Sequence, residues 1–359
     1  MFFRWRIVGR YIIMKSAQKQ SSTPPVSISL ALQGGGAHGA FTWGVLDRLL
    51  KDRRLRIDGI SGTSAGAMNA ALLVDGFIRG RRKGAIDALA EFWLRVSQAN
   101  PFKQHPIHSA GKPASGWNLD NTPQYSAFDL VTRLFSPYEL NPLDINPLRD
   151  LVAEMVDFDA IRKHPGLKLF ITASNVRTCK PKVFRAPDMC AAAIMASACV
   201  PLLFRAVELD GEHYWDGGYM GNPSIYPLVQ ECDSHDVLIV QINPLHRDEV
   251  PTRARDILNR ITELSFNSSL VREMRGFATI TNLIESGKLT ADIYSCVRFH
   301  MIDAEDELPD LGVSSKFNTD FGFLTHLHDL GYDAADRWLD KNFDAIGKKS
   351  SLDVFNLFM

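Results

Sequence analysis

Along the chain, short unbroken apolar runs alternate with stretches in which apolar side chains return every third or fourth position. The first run, residues 26–33, is rich in aliphatic and β-branched side chains and stops at Gly34, Gly35 and Gly36. This pattern predicts a buried strand ending in a turn. Beyond the glycines, Phe41, Val45, Leu46, Leu49 and Leu50 recur at helical spacing up to a charged exit at 51–56. A short strand is expected at 57–60, a sharp turn at 61–66 and a helix at 65–77, whose alanines and Gly66 permit close packing. Strand, helix, strand, helix reads as a parallel sheet covered on both faces. Further buried strands are expected at 167–174, 207–214, 237–242 and 297–302.

Residues 100–125 are dense in Pro, Gly, Ser and Asn, and so long a stretch predicts a lid, an insertion or a passive surface loop. AsnProLeu occurs at 141–143 and again at 146–148, which suggests consecutive turns. From 253 onward the pattern is mostly helical, with a long amphipathic stretch at 316–342. The apolar ending at 351–359 is expected to dock on its own domain.

The 359 residues are 45% apolar, enough for a full core and too much for a disordered chain. Forty Lys and Arg against 41 Asp and Glu leave a net charge of −1, so no global basic field exists to hold a nucleic-acid backbone. Cys179, Cys190, Cys199, Cys232 and Cys296 lack CxxC or Cys/His metal spacing, which argues against a disulfide framework or a zinc module. Residues 1–14 are aromatic but interrupted by Arg4, Arg6 and Arg10, too broken for a signal peptide or a membrane span. They read as an upstream extension before a start at Met14, or as a basic-aromatic segment that touches lipid. A cytoplasmic protein is expected; peripheral membrane contact and secretion as an effector both stay open.

Two glycine turns carry the chemistry. Gly34, Gly36 and Gly39 satisfy GxGxxG between a strand and a helix, and Asp58 follows at roughly the 20-residue distance of a ribose-binding acid. A dinucleotide-binding oxidoreductase is therefore one candidate. Gly62, Thr63, Ser64, Ala65 and Gly66 form GxSxG directly between a short strand and a helix. Gly62 and Gly66 clear space for a serine on a tight bend, and the helix N-terminus favours developing negative charge. Asp216, followed by Gly217 and Gly218, is the best candidate base, because a carboxylate in a desolvated cleft holds a proton more readily than in water. A triad through His213, His235 or His300 is the alternative. Arg79, Arg81, Arg82 and Lys83 suit either anionic head groups or a solvated helix end. His326 and His328, two apart, point in different directions on a helix and make a poor metal pair.

These motifs, GlyGlyGlyAlaHisGly at 34–39, GlyThrSerAlaGly at 62–66 and AspGlyGly at 216–218, resemble those of the patatin-like phospholipases in order and spacing. The segment AlaSerAlaCysValProLeuLeuPhe at 196–204 is similar to that family's as well, so the likeness runs over about 27–243. The resemblance implies a three-layer α/β/α sandwich with a mostly parallel sheet and a helical C-terminal extension. It implies a Ser64/Asp216 dyad, an oxyanion hole from Gly34, Gly35 and Gly36, and hydrolysis of phospholipid acyl esters with no metal or cofactor. Family members usually carry Arg or Lys where this chain has His38, so His38 either titrates near neutrality and tunes the pH response or is a helix-start residue with no catalytic duty.

The domain division expected is a flexible leader 1–25, a catalytic domain 26–243 with an insertion near 99–145, and a mainly helical region 244–359 packed on the same domain. A carboxylesterase, thioesterase or polyester hydrolase with the same dyad is the nearest alternative function, and a non-catalytic binding module a more distant one.

Overall fold

The computed structural model describes residues 24–99, 116–120, 122–164, 166–290, 297–305, 307–308 and 311–359. Most of the expected leader, residues 100–115 and Cys296 lie outside the described residues.

β1 (Val26–Leu32), α1 (Gly39–Lys51), β2 (Leu55–Gly62) and α2 (Ala65–Gln98) follow one another as the periodicity predicts. α3 (Pro123–Leu134), α4 (Pro137–Leu140), α5 (Pro147–Met155) and α6 (Phe158–Lys163) lead to β3 (Lys168–Asn175). β4 (Pro181–Phe184) and α7 (Ala191–Ser197) precede β5 (Val207–Leu209) and β6 (Glu212–Asp216). Then come α8 (Tyr226–Glu231), β7 (Asp236–Gln241), α9 (Ala254–Glu285), β8 (Arg298–Asp303), α10 (Phe321–Asn342) and α11 (Val354–Phe358).

Three elements depart from the sequence reading. The strand expected at 207–214 is a hairpin, because Asp210 and Gly211 both take positive φ, 53° and 76°, and turn the chain back. The helix expected to stop at 77 continues to Gln98, broken where Gly80 and Arg81 leave helical geometry. β4 was not expected: its four residues, two of them Pro181 and Lys182, show no apolar run.

Strands β3, β2, β1, β7 and β8 run parallel, while β4, β5 and β6 pair antiparallel at one side. The parallel strands are buried on both faces, so their side chains split into two sets one residue out of step. Leu30, Leu32, Ile60, Ile171, Leu238 and Val240 join the core formed with α1, α2 and α10. Ala31, Phe170, Val237 and Ile239 join Leu228 of α8, Leu270 and Met274 of α9 and Phe358 of α11. Helices on both faces make the α/β/α sandwich. Each fully buried aliphatic side chain contributes about 1.5–3 kcal/mol.

α10 lies on α1 so closely that glycine is required at both crossings. A Cβ on Gly44 would stand 1.8 Å from the His328 carbonyl oxygen, and one on Gly331 would stand 2.0 Å from that of Phe41. The C-terminal segment docks as expected, with Phe358 buried and the Ser351 and Leu352 amides donating to the Phe299 carbonyl.

One detail of register positions the site. Ile171 of β3 pairs with Gly62 on one side and Phe184 on the other, and Ala173 pairs with Lys182 and Asp216. Since β4 takes the other partner position at both Ile171 and Ala173, β2 and β6 share the opposite edge of β3. β6 takes over where β2 ends, bringing Asp216 level with the turn that follows Gly62.

Candidate active site

Ser64 sits at the apex of the turn between β2 and α2 with φ 54° and ψ −121°, a conformation that costs a non-glycine residue about 1–3 kcal/mol. Close packing holds it there. A Cβ on Gly62 would stand 2.5 Å from the Gly66 carbonyl oxygen, and one on Gly66 would stand 2.2 Å from that of Leu32. The Ser64 amide donates to Ser197 Oγ at 3.0 Å, and Thr63 Oγ1 donates to the Gly221 carbonyl at 2.6 Å. The strained turn is thereby fixed from both sides.

Asp216 is fully buried at the end of β6. Its Oδ1 accepts the Gly218 amide at 2.7 Å. Among the described residues its Oδ2 has no partner with hydrogen-bond geometry. Burial pushes the carboxyl up to about 7, against smaller lowering effects from the Gly218 amide, the Ser64 hydroxyl and the Lys316 charge. Gly217 and Gly218 leave no room for side chains: a Cβ on Gly217 would stand 2.0 Å from the Thr172 carbonyl oxygen, and one on Gly218 would strike the Phe266 ring at 2.3 Å.

The first glycine turn abuts the serine. A Cβ on Gly34 would stand 2.6 Å from Ser64 Cβ. The Gly34 amide, however, donates to Asn222 Oδ1 at 2.7 Å, which corrects the expectation that it serves an oxyanion: its position beside Ser64 is a steric requirement. The amides of Gly35, Gly36 and Ala65 form no hydrogen bond to a described residue. Gly36 has φ 58° and is exposed, so this part of the turn faces solvent. Gly39 is packed on Ala65, where a Cβ would come within 2.7 Å.

His38 corrects a second expectation. It is buried, with Nε2 2.7 Å from Ser315 Oγ. Burial, helped by the Lys316 and Arg247 charges, drives its pKa well below the ordinary value, so it stays neutral and the titrating alternative falls.

The other sequence candidates are placed elsewhere. Asp58 lies inside β2, toward the end opposite the glycine turns, where Oδ2 accepts the Asp233 and Ser234 amides at 2.7 and 3.0 Å. It clamps a loop and is not at the strand end, as a ribose-binding acid would be. His300 bonds Asp236 and Ser351, and His213 approaches Glu208, so neither reaches Ser64. Of the basic cluster, Arg79 and Lys83 pair with Asp75 and Asp87, and Arg82 donates to the Leu50, Asp52 and Leu55 carbonyls. His328 bonds Asp47 and Asp329 while the His326 ring stacks on Trp117. Among the described residues no group of His, Cys, Asp and Glu is placed to hold a metal. A cavity of about 590 Å³ lined by Phe277, Phe299, Ser351 and Phe355 contains none of the site residues.

Sequence reasoning missed several residues that build the site. Gln33 Oε1 accepts the Ile242 and Asn243 amides, and its Nε2 donates to Asn267. Asn243 Nδ2 donates to the Gly34 carbonyl at 2.7 Å, and Lys316 Nζ donates to Asn243 Oδ1. Ser197 belongs to the segment 196–204 already singled out. Lys316, expected at the start of the amphipathic stretch 316–342, lies in the turn before the helix, which begins at Phe321, with no motif to mark it.

The sequence profile described as "Patatin-like phospholipase" matches residues 30–229. No curated protein sequence matches the chain. Among solved structures, VipD from Legionella pneumophila is 16% identical with a TM-score of 0.40, covering 88% of this chain and 67% of its own. ExoU, in its complex with SpcU from the type III secretion system of Pseudomonas aeruginosa, is 21% identical with a TM-score of 0.32, covering 69% and 51%. A second structure, of the type III effector protein ExoU, is 17% identical with a TM-score of 0.34, covering 89% and 53%. This chain thus spans about half the length of the ExoU chains, and all three likenesses are too distant to bear on activity.

Proposed function

The chain belongs to the patatin-like phospholipase family of lipid acyl hydrolases, and on that premise we propose that it cleaves phospholipid acyl esters through Ser64 and Asp216. The observation that carries the proposal is the strand register that brings a strained, buried serine level with a fully buried carboxylate, which burial pushes up to about 7. Asp216 takes the Ser64 hydroxyl proton as Oγ attacks the ester carbon. The carbonyl π pair moves to oxygen, and the resulting oxyanion is held by the Gly35, Gly36 and Ala65 amides, each worth on the order of 3 kcal/mol in such a role. Collapse expels the alcohol, which takes its proton from Asp216. Water then gives a proton to Asp216 and attacks the acyl-enzyme, and the regenerated Ser64 takes that proton back. Both nucleophile and base come from the chain, so the proposed reaction uses neither metal nor cofactor.

The surface around α3 and α4 supports a lipid substrate. None of the side chains of α3 is fully buried, and Leu134, Leu143 and Ile145 are exposed. This segment packs on the helical turn Val313–Phe317, which abuts Gly36 through Lys316: the Phe317 ring lies 6.0 Å from those of both Tyr125 and Phe128. Among the described residues no helix is long and apolar enough to cross a membrane, which leaves peripheral contact as the mode proposed. Residues 26–243 are proposed as the catalytic unit, with 244–359 adding β8, α9 and α10 to the same body.

The test is fluorophosphonate labelling followed by peptide mapping, together with fatty-acid release from phosphatidylcholine vesicles and from water-soluble esters. Labelling confined to Ser64 and release from vesicles are expected. Labelling elsewhere sinks the nucleophile assignment. Activity on soluble esters without any on vesicles moves the substrate to a carboxylesterase class.

A further inference from the structure

We propose that Lys316 is a positioning residue of this site: its ammonium tethers the glycine turn behind Ser64 through Asn243 and supplies positive charge to the Ser64/Asp216 pair. The inference rests on the Ser64/Asp216 reading and adds a group from outside the matched segment 30–229.

The geometry starts at the backbone. Lys316 lies in the short helical turn Val313–Phe317, pressed so closely on the first glycine turn that a Cβ on Gly36 would stand 2.5 Å from the Lys316 carbonyl oxygen. The side chain then reaches beneath that turn. Nζ donates to Asn243 Oδ1 at 2.5 Å, Asn243 Nδ2 donates to the Gly34 carbonyl at 2.7 Å, and Gly34 abuts Ser64. A continuous hydrogen-bonded path therefore joins the ammonium to the residue that backs the nucleophile.

The charges facing Lys316 come from several elements. Asp216 ends β6, Glu263 projects from α9, and Arg247 comes from the segment between β7 and α9. His38 precedes α1 and is neutral. Glu263 is already paired with Arg247 at 2.8 Å and Arg260 at 2.9 Å, whereas Lys316 forms no ion pair among the described residues. Lys316 is partly buried, and among the described residues its ammonium is bonded to one neutral amide, an arrangement that is costly. Its field is what it supplies. Lys316 is the charged side chain that acts on Asp216, favouring the ionised base and then the oxyanion forming over Gly35 and Gly36. Burial brings Lys316 down to about 8, so it remains mostly protonated at neutral pH.

The experiment measures the rate of fluorophosphonate labelling of Ser64 against pH in the full chain, in Lys316→Gln and in Lys316→Arg. Removing a nearby positive charge raises the carboxyl pKa, so in Lys316→Gln the acid limb moves up by about one pH unit. A shift of that size makes labelling about five-fold slower at pH 7, a difference that closes in alkaline solution where Lys316 itself is neutral. Lys316→Arg keeps the wild-type limb. Should the Gln variant not fold, Lys316→Met gives the same readout. Equal slowing at every pH, with the limb in place, means a merely structural lysine and overturns the proposal. Absence of labelling in the wild type overturns the dyad reading first, and this inference with it.

Discussion

Ser64 and Asp216, far apart in sequence, meet along one edge of β3, because Gly62 pairs with Ile171 and Asp216 with Ala173 on that same edge. Their juxtaposition is set by strand register and does not depend on a flexible loop. Residues that act as one unit lose their effect together when either is removed. Ser64→Ala and Asp216→Asn are each expected to lower ester hydrolysis on the order of 10⁴-fold, and the double variant no further. Steady-state kinetics on a chromogenic ester measures this. Losses that multiply in the double variant mean that the two side chains do not share a step.

The pH profile follows from which groups titrate. Asp216 must be ionised to accept a proton, and burial raises it to about 7, so kcat/KM should rise with pH through an acid limb near that value. His38 is held neutral by burial and by the Lys316 and Arg247 charges. His38→Gln is therefore expected to leave the limb in place even if the rate drops through loss of the Ser315 contact. A limb that moves with His38→Gln transfers the titration from Asp216 to the histidine.

The same carboxylate links activity to stability. Its folded pKa of about 7 lies above the ordinary 3.8, so the native state binds a proton that the unfolded chain has released. That contribution is fully present below about pH 4 and is lost as pH rises through 7. Asp216→Asn removes the penalty and should be more stable than wild type above pH 7, by at most about 4 kcal/mol at 1.36 kcal/mol per unit. Below pH 4 the two should unfold alike. Denaturant melts at pH 4 and pH 8 compare them; a variant less stable at both rules out the buried, charged base.

Much of this site was legible because glycine marks close approach. Gly34, Gly62, Gly66, Gly217 and Gly218 each stand where a Cβ would collide, and the sequence reading singled out all five. The parallel strands were legible too, since burial on both faces writes an unbroken apolar run. β4 was not, because an edge strand of four residues needs no such run. The Asp210–Gly211 turn is written in the sequence, where Val207, Leu209 and Tyr214 alternate with polar residues in a way that also suits one continuous strand. Lys316, Asn243 and Asn222 left no local signal, since their roles exist only where β7, the segment after β6 and the turn before α10 converge on Gly34 and Gly36. His38 misled for the related reason that a sequence does not show burial.

The apolar surface around α3 and α4 leads to the last prediction. Leu143 is 80% exposed and Ile145 62%, in a segment tied to the body where the Arg205 guanidinium donates to the Pro142 carbonyl and lies over the Tyr138 ring. Such side chains gain nothing in water, but each contributes about 1–2 kcal/mol if it enters the headgroup boundary of a bilayer. Replacing both with Asp removes that gain and adds charges that resist insertion. Leu143→Asp with Ile145→Asp is therefore expected to reduce vesicle binding and vesicle hydrolysis at least about ten-fold, while kcat/KM on a water-soluble ester stays within about two-fold. Vesicle co-sedimentation and the two assays run in parallel measure it. Equal loss on both substrates would mean that the substitutions disturb the site itself, and no loss on vesicles would mean that the protein meets lipid through another face.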